Sequence, residues 1–233
     1  AATNPRSFAI TPENQPKLAE IARAKHHIHI QYYIFCDDET GRRLRDALVE
    51  KVRQGVEVRI LYDDVGCSGV KKDFFEGMRR EGIEVFSFLH VKFPLFTSKV
   101  NYRNHRKIAV IDGRVGFIGG MNVADRYVRG TGWGSWRDTH FRIEGSGAAG
   151  LQVSFLSDWS ATTKQHITGA AYFPQSERHA ENILQIVPSG PFGQWRALLQ
   201  ADSYAVSNAR RRIWIQTPYY LPSDVLNTAL QVA

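Results

Sequence analysis

The stretch from 104 to 122 concentrates side chains that can act on phosphorus. His105 and Lys107 are two positions apart, so they share one face if this stretch is a strand. An imidazole can attack phosphorus, and an ammonium can hold the non-bridging oxygens where charge develops. The amide of Asn122 can donate to the same oxygens, and Gly120 permits a close approach of backbone or ligand. Together these residues predict phosphodiester chemistry.

Two carboxylates have expected supporting roles. Asp112 and Gly113 stand between two apolar runs and predict a hairpin, because both positions tolerate positive φ. At this turn Asp112 is expected to have a structural role, either holding loop geometry or pairing with a basic group. A nucleophilic histidine also needs an acceptor for its second nitrogen, and Asp138, on a strand-like stretch after the hairpin, is the candidate. Asp63 ends a predicted strand, where either a site role or an N-cap role suits it.

Each of these residues also has an ordinary structural interpretation. A single histidine on a strand is usually a satisfied polar residue, and a lysine at a strand edge commonly prevents edge pairing. An Asp-Gly pair is usually only a turn. The combination at fixed spacing favours the functional interpretation.

The motif resembles that of a known superfamily. The run from His105 to Asp112 fits the HxKxxxxD pattern of the phospholipase D superfamily, here called the HKD motif, and GGMN at 119–122 fits the GGxN that follows it there. Further segments resemble bacterial cardiolipin synthases of this superfamily, in order: IQYYIF, GVEVRILYDDVG, WRDTHFRIEG, VPSGP and IQTPYYLPSD. The resemblance extends from about Phe8 to Ala233.

This resemblance implies an α/β fold: a phospholipase D-like mixed sheet sandwiched between helices, built as two similar halves that each give one HKD motif to a shared site. It implies that His105 is the nucleophile, that Lys107 and Asn122 bind phosphate beside Gly120, that Asp112 completes the motif and that Asp138 orients His105. No metal or other cofactor is expected. The implied reaction transfers a phosphatidyl group between two phosphatidylglycerol molecules through a phosphohistidine.

The resemblance also implies partners and a location. The expected partners are phosphatidylglycerol, an anionic membrane surface and a second HKD half, at the bacterial plasma membrane. The net charge of +7 agrees with an anionic partner but does not identify it. No nucleic acid is expected, because a long basic and aromatic alternation is missing. The family's N-terminal membrane helices are not in this sequence, so the chain itself is expected to be soluble.

Rival functions remain open. A phospholipase D or phosphodiesterase would use water in place of the alcohol acceptor, and a nuclease would use the same histidine in a basic groove. A non-catalytic module that binds anionic lipid is the alternative outside the enzymes.

The apolar periodicity predicts alternating elements and hence a mainly parallel sheet joined by the antiparallel hairpin. Predicted helices cover 12–25, 40–55, 70–82, 148–165 and 193–211, the first with an N-cap at Thr11. Predicted strands cover 29–35, 56–64, 83–88 and 213–220.

An internal similarity suggests how the chain is divided. AKHHIHIQ at 24–31 and ARRRIWIQ at 209–216 share four residues at a constant offset, and both join a predicted helix to a predicted strand. We therefore expect a first half over 1–175 and the start of a second half over 176–233. The second HKD motif would fall beyond Ala233, so the chain is expected to be an incomplete catalyst.

Three further features have alternative interpretations. The phenylalanine-rich segment 86–104 either contacts lipid or forms a buried loop. Trp133 and Trp136 either form a wall of the site or belong to the core. Cys36 and Cys67 lack metal or redox spacing and are expected to be reduced thiols.

Overall fold

A computed structural model describes residues 16–88, 103–175, 183–190, 196–217 and 219–233, and the backbone alone of 2–8 and 182. The chain forms two compact units, Ala1–Ile186 and Val187–Ala233. The expected N-cap at Thr11 and most of the phenylalanine-rich segment lie outside the described residues. Within the described ranges, no helix combines the length and the apolar character that crossing a bilayer requires.

The first unit is built on one sheet whose strand order is β4-β3-β2-β5-β6-β7-β1-β8. Its strands are β1 (Ala2–Phe8), β2 (His27–Tyr32), β3 (Glu57–Asp63), β4 (Glu84–Phe88), β5 (Ile108–Ile111), β6 (Val115–Gly119), β7 (His140–Gly145) and β8 (Asn182–Ile183).

The sheet is mixed, as expected, but it is not mainly parallel. The pairings β2–β3 and β3–β4 are parallel, and the five other pairings between neighbouring strands are antiparallel. The helical crossovers that impose parallel pairing join only the first strands of this series. The hairpin then continues antiparallel into β7, which overlaps the strand-like stretch expected after the hairpin, and into β1, which the sequence did not predict.

Helices cover both faces of the sheet, which confirms the predicted sandwich. They are α1 (Pro16–Arg23), α2 (Glu39–Arg53), α3 (Lys72–Arg80), α4 (Asp125–Arg129) and α5 (Ser146–Thr163), and a short 3₁₀ turn covers Ala170–Tyr172. Alternate side chains of β5 point to opposite faces of the sheet and so pack against two different layers of helices. Ala109 and Ile111 join the core cluster of α1, α2 and α3, whereas Ile108 and Val110 pack with Leu151 of α5.

The hairpin turn has the predicted conformation. Asp112 has φ 53° and Gly113 has φ 64°, so both central residues of the β5–β6 turn adopt the left-handed region. This is the backbone of a type I′ turn, whose twist matches that of the flanking strands.

The second unit contains α6 (Ala197–Ser207) and α7 (Asp224–Val232). The strand predicted at 213–220 is wrong for its described residues, which have no regular structure, and Trp214 is 84% exposed. A strand needs a neighbour for its backbone groups, and the described residues of this unit provide none. The boundary at 175 and the interpretation as a second half stay predictions.

Candidate active site

The candidate site lies at one edge of the sheet. β2 and β3 run in parallel and end there, and β5 begins there, because Gln31 near the end of β2 pairs with Ile108. Ligand sites in α/β sheets form outside the carboxyl ends of parallel strands. His105 and Lys107 precede β5 in an irregular segment, 103–107, so the prediction that they lie on the strand itself is wrong.

The side chains of His105 and Lys107 nevertheless meet. Lys107 Nζ lies 2.9 Å from His105 Nδ1 and donates to the His105 carbonyl oxygen at 2.6 Å. A charged ammonium can only donate, so Nδ1 is the acceptor and Nε2 carries the proton in this arrangement. His105 is exposed and Lys107 is buried, which leaves the ring open to solvent above a fixed cation.

Burial and charge tune both groups. Partial burial of the ring lowers the pKa of His105, the Lys107 charge lowers it further, and Asp63 opposes them. The imidazole is therefore neutral at neutral pH, as a nucleophile must be. Burial lowers the pKa of Lys107 to about 8, against the opposing charge of Asp138. Lys107 remains mostly protonated at neutral pH.

Tyr33 completes the immediate surroundings, and the sequence analysis missed it. Its ring centroid lies 4.6 Å from that of His105, and Lys107 Nζ lies 5.5 Å from the same Tyr33 centroid. Tyr32, the preceding residue, is 1% exposed, and its hydroxyl contacts Lys17 Nζ instead. Neighbouring side chains on a strand point to opposite faces. Of the two adjacent tyrosines in IQYYIF, one therefore faces away from the core, and that residue is Tyr33.

Asp63 positions the main chain that leads into His105. Its Oδ2 accepts from the backbone N–H of Asn104 at 3.1 Å, and its Oδ1 accepts from the N–H groups of Val65 and Gly66 at 2.9 and 3.0 Å. The buried carboxylate thus closes the loop after β3 and also fixes the residue before His105. The N-cap role considered for Asp63 is wrong, because α3 begins at Lys72 and its N-cap residue is Lys71. The bond to Asn104 places Asp63 beside the candidate site instead.

Asp158 on α5 holds both neighbours of His105, and the sequence analysis missed it as well. Its Oδ2 accepts from Asn104 Nδ2, from Arg106 Nη1 and from Gln31 Nε2. The sequence did contain a signal for Asp158. It lies between Phe155 and Trp159, which pack into the core, and a carboxylate beside the core requires polar partners.

Asp112 lies at the opposite end of β5 from His105. Its carboxylate accepts from the backbone N–H groups of Lys25, His26 and His27 at 2.8, 2.8 and 3.0 Å. These bonds tie the hairpin turn to the start of β2. The placement supports the structural role expected from the turn, and it separates Asp112 from the His105–Lys107 pair.

Asn122 follows β6, and its amide is already bonded within the protein. Its Oδ1 accepts from Ile34 N–H at 3.0 Å, and its Nδ2 donates to the Tyr127 hydroxyl at 2.8 Å. No contact among the described residues joins Asn122 to His105 or Lys107. What Asn122 fixes is the main chain directly after Tyr33.

Gly120 is needed for the packing of Asp138. A Cβ at position 120 would lie 2.1 Å from Asp138 Oδ1, so no larger residue fits without moving the carboxylate. That carboxylate accepts from Thr139 N–H at 2.7 Å and from Trp136 Nε1 at 3.4 Å. No contact among the described residues joins Asp138 to His105, and its charge acts on Lys107 instead.

Cys36 and Cys67 are free thiols, as expected. Cys67 Sγ accepts from Phe35 N–H at 3.2 Å, and burial raises the pKa of Cys67 to about 12. A thiol in this state is not a nucleophile at neutral pH.

Comparison with known proteins identifies the family of this chain. Residues 18–134 match the family model described as cardiolipin synthase, PLD-like domain. The chain is 41% identical over 222 residues to the major cardiolipin synthase of Bacillus subtilis (strain 168), an alignment that covers 94% of this chain and 46% of that protein. The chain thus spans about half the length of this relative.

Solved structures show the same fold. NucT from Helicobacter pylori aligns with a TM-score of 0.52 at 17% identity, over 69% of this chain and 98% of that one. Phosphatidylserine synthase from Haemophilus influenzae Rd KW20 aligns with a TM-score of 0.52 at 19% identity, over 66% of this chain and 36% of that one. The family match spans half of the chain and includes the His105–Lys107 pair, and the chain therefore belongs to the family of cardiolipin synthase, phospholipase D-like domains.

Proposed function

We propose that this chain supplies one half of the active site of a transphosphatidylase that makes cardiolipin and glycerol from two phosphatidylglycerol molecules. The observation that carries the proposal is the exposed His105 ring held 2.9 Å from the buried Lys107 ammonium at the edge of the sheet. The similarity to cardiolipin synthases over almost the whole chain supports the choice of substrate.

In the proposed first step a phosphate entering the site competes with His105 Nδ1 for the Lys107 ammonium. This competition releases the ring and places the cation on the non-bridging oxygens. A ring nitrogen of His105 attacks phosphorus, a nitrogen–phosphorus bond forms, and the bond from phosphorus to the glycerol oxygen breaks. Glycerol leaves with a proton from the acid of a second HKD half.

In the second step the hydroxyl of another phosphatidylglycerol attacks the phosphohistidine. Its proton passes to the same acid, now acting as a base, and the electron pair of the nitrogen–phosphorus bond returns to the imidazole. Tyr33 packs against the ring of His105 throughout. In this proposal Asp112 acts as a positioning residue for the hairpin, and Asn122 contacts phosphate only if its present hydrogen bonds exchange.

The missing partners of this site are part of the proposal. The chain spans less than half of its relative, so we place the second HKD half in the remaining length of the complete protein. The substrate then comes from an anionic membrane surface, at the bacterial plasma membrane.

The test uses the complete protein that carries this sequence, with phosphatidylglycerol vesicles and with or without EDTA. Cardiolipin and glycerol should form in both conditions, and His105→Ala should lower the rate on the order of 10⁴-fold. The exposed His166 gives the matched control, His166→Ala, which should retain native activity. Phosphatidic acid as sole product would favour a hydrolase, and turnover that survives His105→Ala would remove the proposed nucleophile.

A further inference from the structure

The segment Arg126 to Arg137 carries an unusual surface. It contains three arginines, two tryptophans and no acidic residue. Trp133 is 100% exposed and Trp136 is 43% exposed. Tryptophan is highly buried on average in folded proteins, so a fully exposed ring invites an explanation.

The backbone presents Trp133 in a fixed way. In the turn 130–137, here called the Trp133 turn, Thr131 and Gly134 exchange backbone hydrogen bonds of 2.8 and 3.0 Å, and Trp133 N–H donates to Thr131 Oγ1 at 3.2 Å. A Cβ at Gly130 would lie 2.4 Å from the Gly134 carbonyl oxygen. This tight, glycine-dependent loop holds its apolar tip away from the rest of the protein.

The same turn is joined to the candidate site. Trp136 packs edge-on against Tyr127 at 4.9 Å between ring centroids and donates to Asp138 Oδ2. Asp138 in turn packs against Gly120 and acts electrostatically on Lys107. The Trp133 turn is therefore linked through Trp136 and Asp138 to the Lys107 side of the candidate site.

We propose that the Trp133 turn docks on an anionic phospholipid bilayer, with the Trp133 ring at headgroup depth and Arg126 and Arg137 facing the lipid phosphates. The ring combines an apolar body with an N–H donor, which suits the boundary between headgroups and acyl chains. The arginines are exposed and supply the charge that anionic lipids attract. The inference rests on the proposed function in taking this bilayer as the one that holds the substrate.

Other partners fit this surface less well. A stable protein interface needs a broad apolar centre, whereas Trp133 stands among glycine, serine and threonine. A single-stranded nucleic acid stacks on aromatic rings that line a basic groove, whereas a fully exposed ring has no groove wall beside it.

The binding test uses the 233-residue chain and sedimentation with vesicles of phosphatidylglycerol and phosphatidylcholine, or of phosphatidylcholine alone. Trp133→Ala should weaken partitioning onto the anionic vesicles by about an order of magnitude. Arg137→Gln should weaken it by about fivefold and lower its sensitivity to salt. Thermal unfolding at the native temperature would show that the variants remain folded.

Trp214 provides the matched control. It is 84% exposed and has a guanidinium over its ring, Arg212 at 5.2 Å, but it lies in the second unit. Trp214→Ala should bind anionic vesicles as the native chain does. Equal binding by Trp133→Ala and the native chain would overturn the proposal, and so would a single-stranded oligonucleotide that binds more tightly than the vesicles and loses affinity in Trp133→Ala.

Activity of the complete protein separates this inference from the proposed function. Trp133→Ala should lower turnover on vesicles and leave turnover on a monomeric short-chain phosphatidylglycerol unchanged. A native protein that makes no cardiolipin from either lipid, yet loses vesicle binding in Trp133→Ala, would refute the proposed function and support the docking surface. An equal loss of turnover on both lipids would refute the docking role.

Discussion

Asp158 Oδ2 accepts a hydrogen bond of 2.7 Å from Asn104 Nδ2, the side chain directly before the candidate nucleophile. The same oxygen also receives Gln31 Nε2 at 2.7 Å and the guanidinium of Arg106. The residues on both sides of His105 are therefore fastened to α5. Their common anchor makes Asp158 a positioning residue for the segment 103–107.

Asp158→Asn removes the charge that holds these three donors. We expect a loss of about 2–3 kcal/mol in the free energy of unfolding. We also expect phosphoenzyme formation to slow by about 10- to 100-fold, because the proposed nucleophile, His105, is no longer held in place. Single-turnover trapping with labelled phosphatidylglycerol in the complete protein measures the second effect.

Asp46→Asn is the control for this variant, since Asp46 is an exposed acid on α2 whose partner is Arg45. It should change neither quantity. Asp158→Glu, which keeps the charge, should restore part of the rate. Native phosphoenzyme kinetics in Asp158→Asn would show that the anchor has no part in positioning His105.

The pKa of Lys107, lowered to about 8, predicts how phosphate binding depends on pH. The ammonium is lost as pH rises through that value, so the affinity for a soluble phosphate diester such as dimethyl phosphate, whose charge is constant over this range, should fall between pH 7 and pH 9. Calorimetric titration of the 233-residue chain measures it. Lys107→Met should bind at least tenfold more weakly and lose this dependence on pH. A native chain whose phosphate affinity stays constant over this range would contradict the assignment.

Asp112→Ala tests the structural role of the turn. Three backbone N–H groups lose their acceptor, and we expect a loss of about 2–3 kcal/mol in stability, measured by urea unfolding. Asp112→Asn should cost less, because asparagine also tolerates positive φ and keeps an oxygen acceptor. Asp202→Ala, at an exposed position of α6, serves as control. An unchanged unfolding midpoint in Asp112→Ala would show that these hydrogen bonds contribute nothing.

A buried histidine pair predicts sensitivity to acid. His27 and His29 are both 0% exposed and bracket Gln152, whose Oε1 accepts from His29 Nδ1 and whose Nε2 donates to His27 Nε2. Burial, reinforced by the neighbouring charge of His26, lowers the pKa of His27 to about 4. Burial likewise lowers the pKa of His29 well below its usual value.

The unfolded chain binds protons at these histidines between pH 6.5 and 4, whereas the folded chain does not. Stability should therefore be complete above pH 6.5 and decline as pH falls toward 4, by about 3 kcal/mol for His27 alone. Thermal unfolding across this range measures the slope. His27→Gln should flatten it, and the exposed His166→Gln should not. An equal slope in the native chain and His27→Gln would exclude this origin.

The sequence predicted best where local chemistry and the fold agree. The turn at Asp112 and Gly113 formed as predicted, because positive φ at both positions is a property of those two residues. The alternating helices and strands up to β4 were also predicted from the periodicity of apolar residues, because the apolar face of each of these elements packs into the core.

The sequence predicted least well where distant segments meet. Asp158 is far along the chain from Asn104, and nothing local to either residue indicates their pairing. The amide of Asn122 suited a phosphate on chemical grounds, but the fold supplies it with Ile34 and Tyr127 first. The segment 213–220 has residue types typical of a strand, but the part of the second unit that the structure describes offers it no strand to pair with. β propensity favours a pleated, half-buried surface, which needs a neighbouring strand.

Helix α5 makes polar contacts at two places. Gln152 bonds to His27 at the start of β2, and Asp158 bonds to Asn104 in the segment before β5. The same helix thus contacts both ends of the strands at the centre of the sheet. Phosphate binding at the proposed His105–Lys107 site should therefore slow hydrogen–deuterium exchange along α5 and at the first amides of β2.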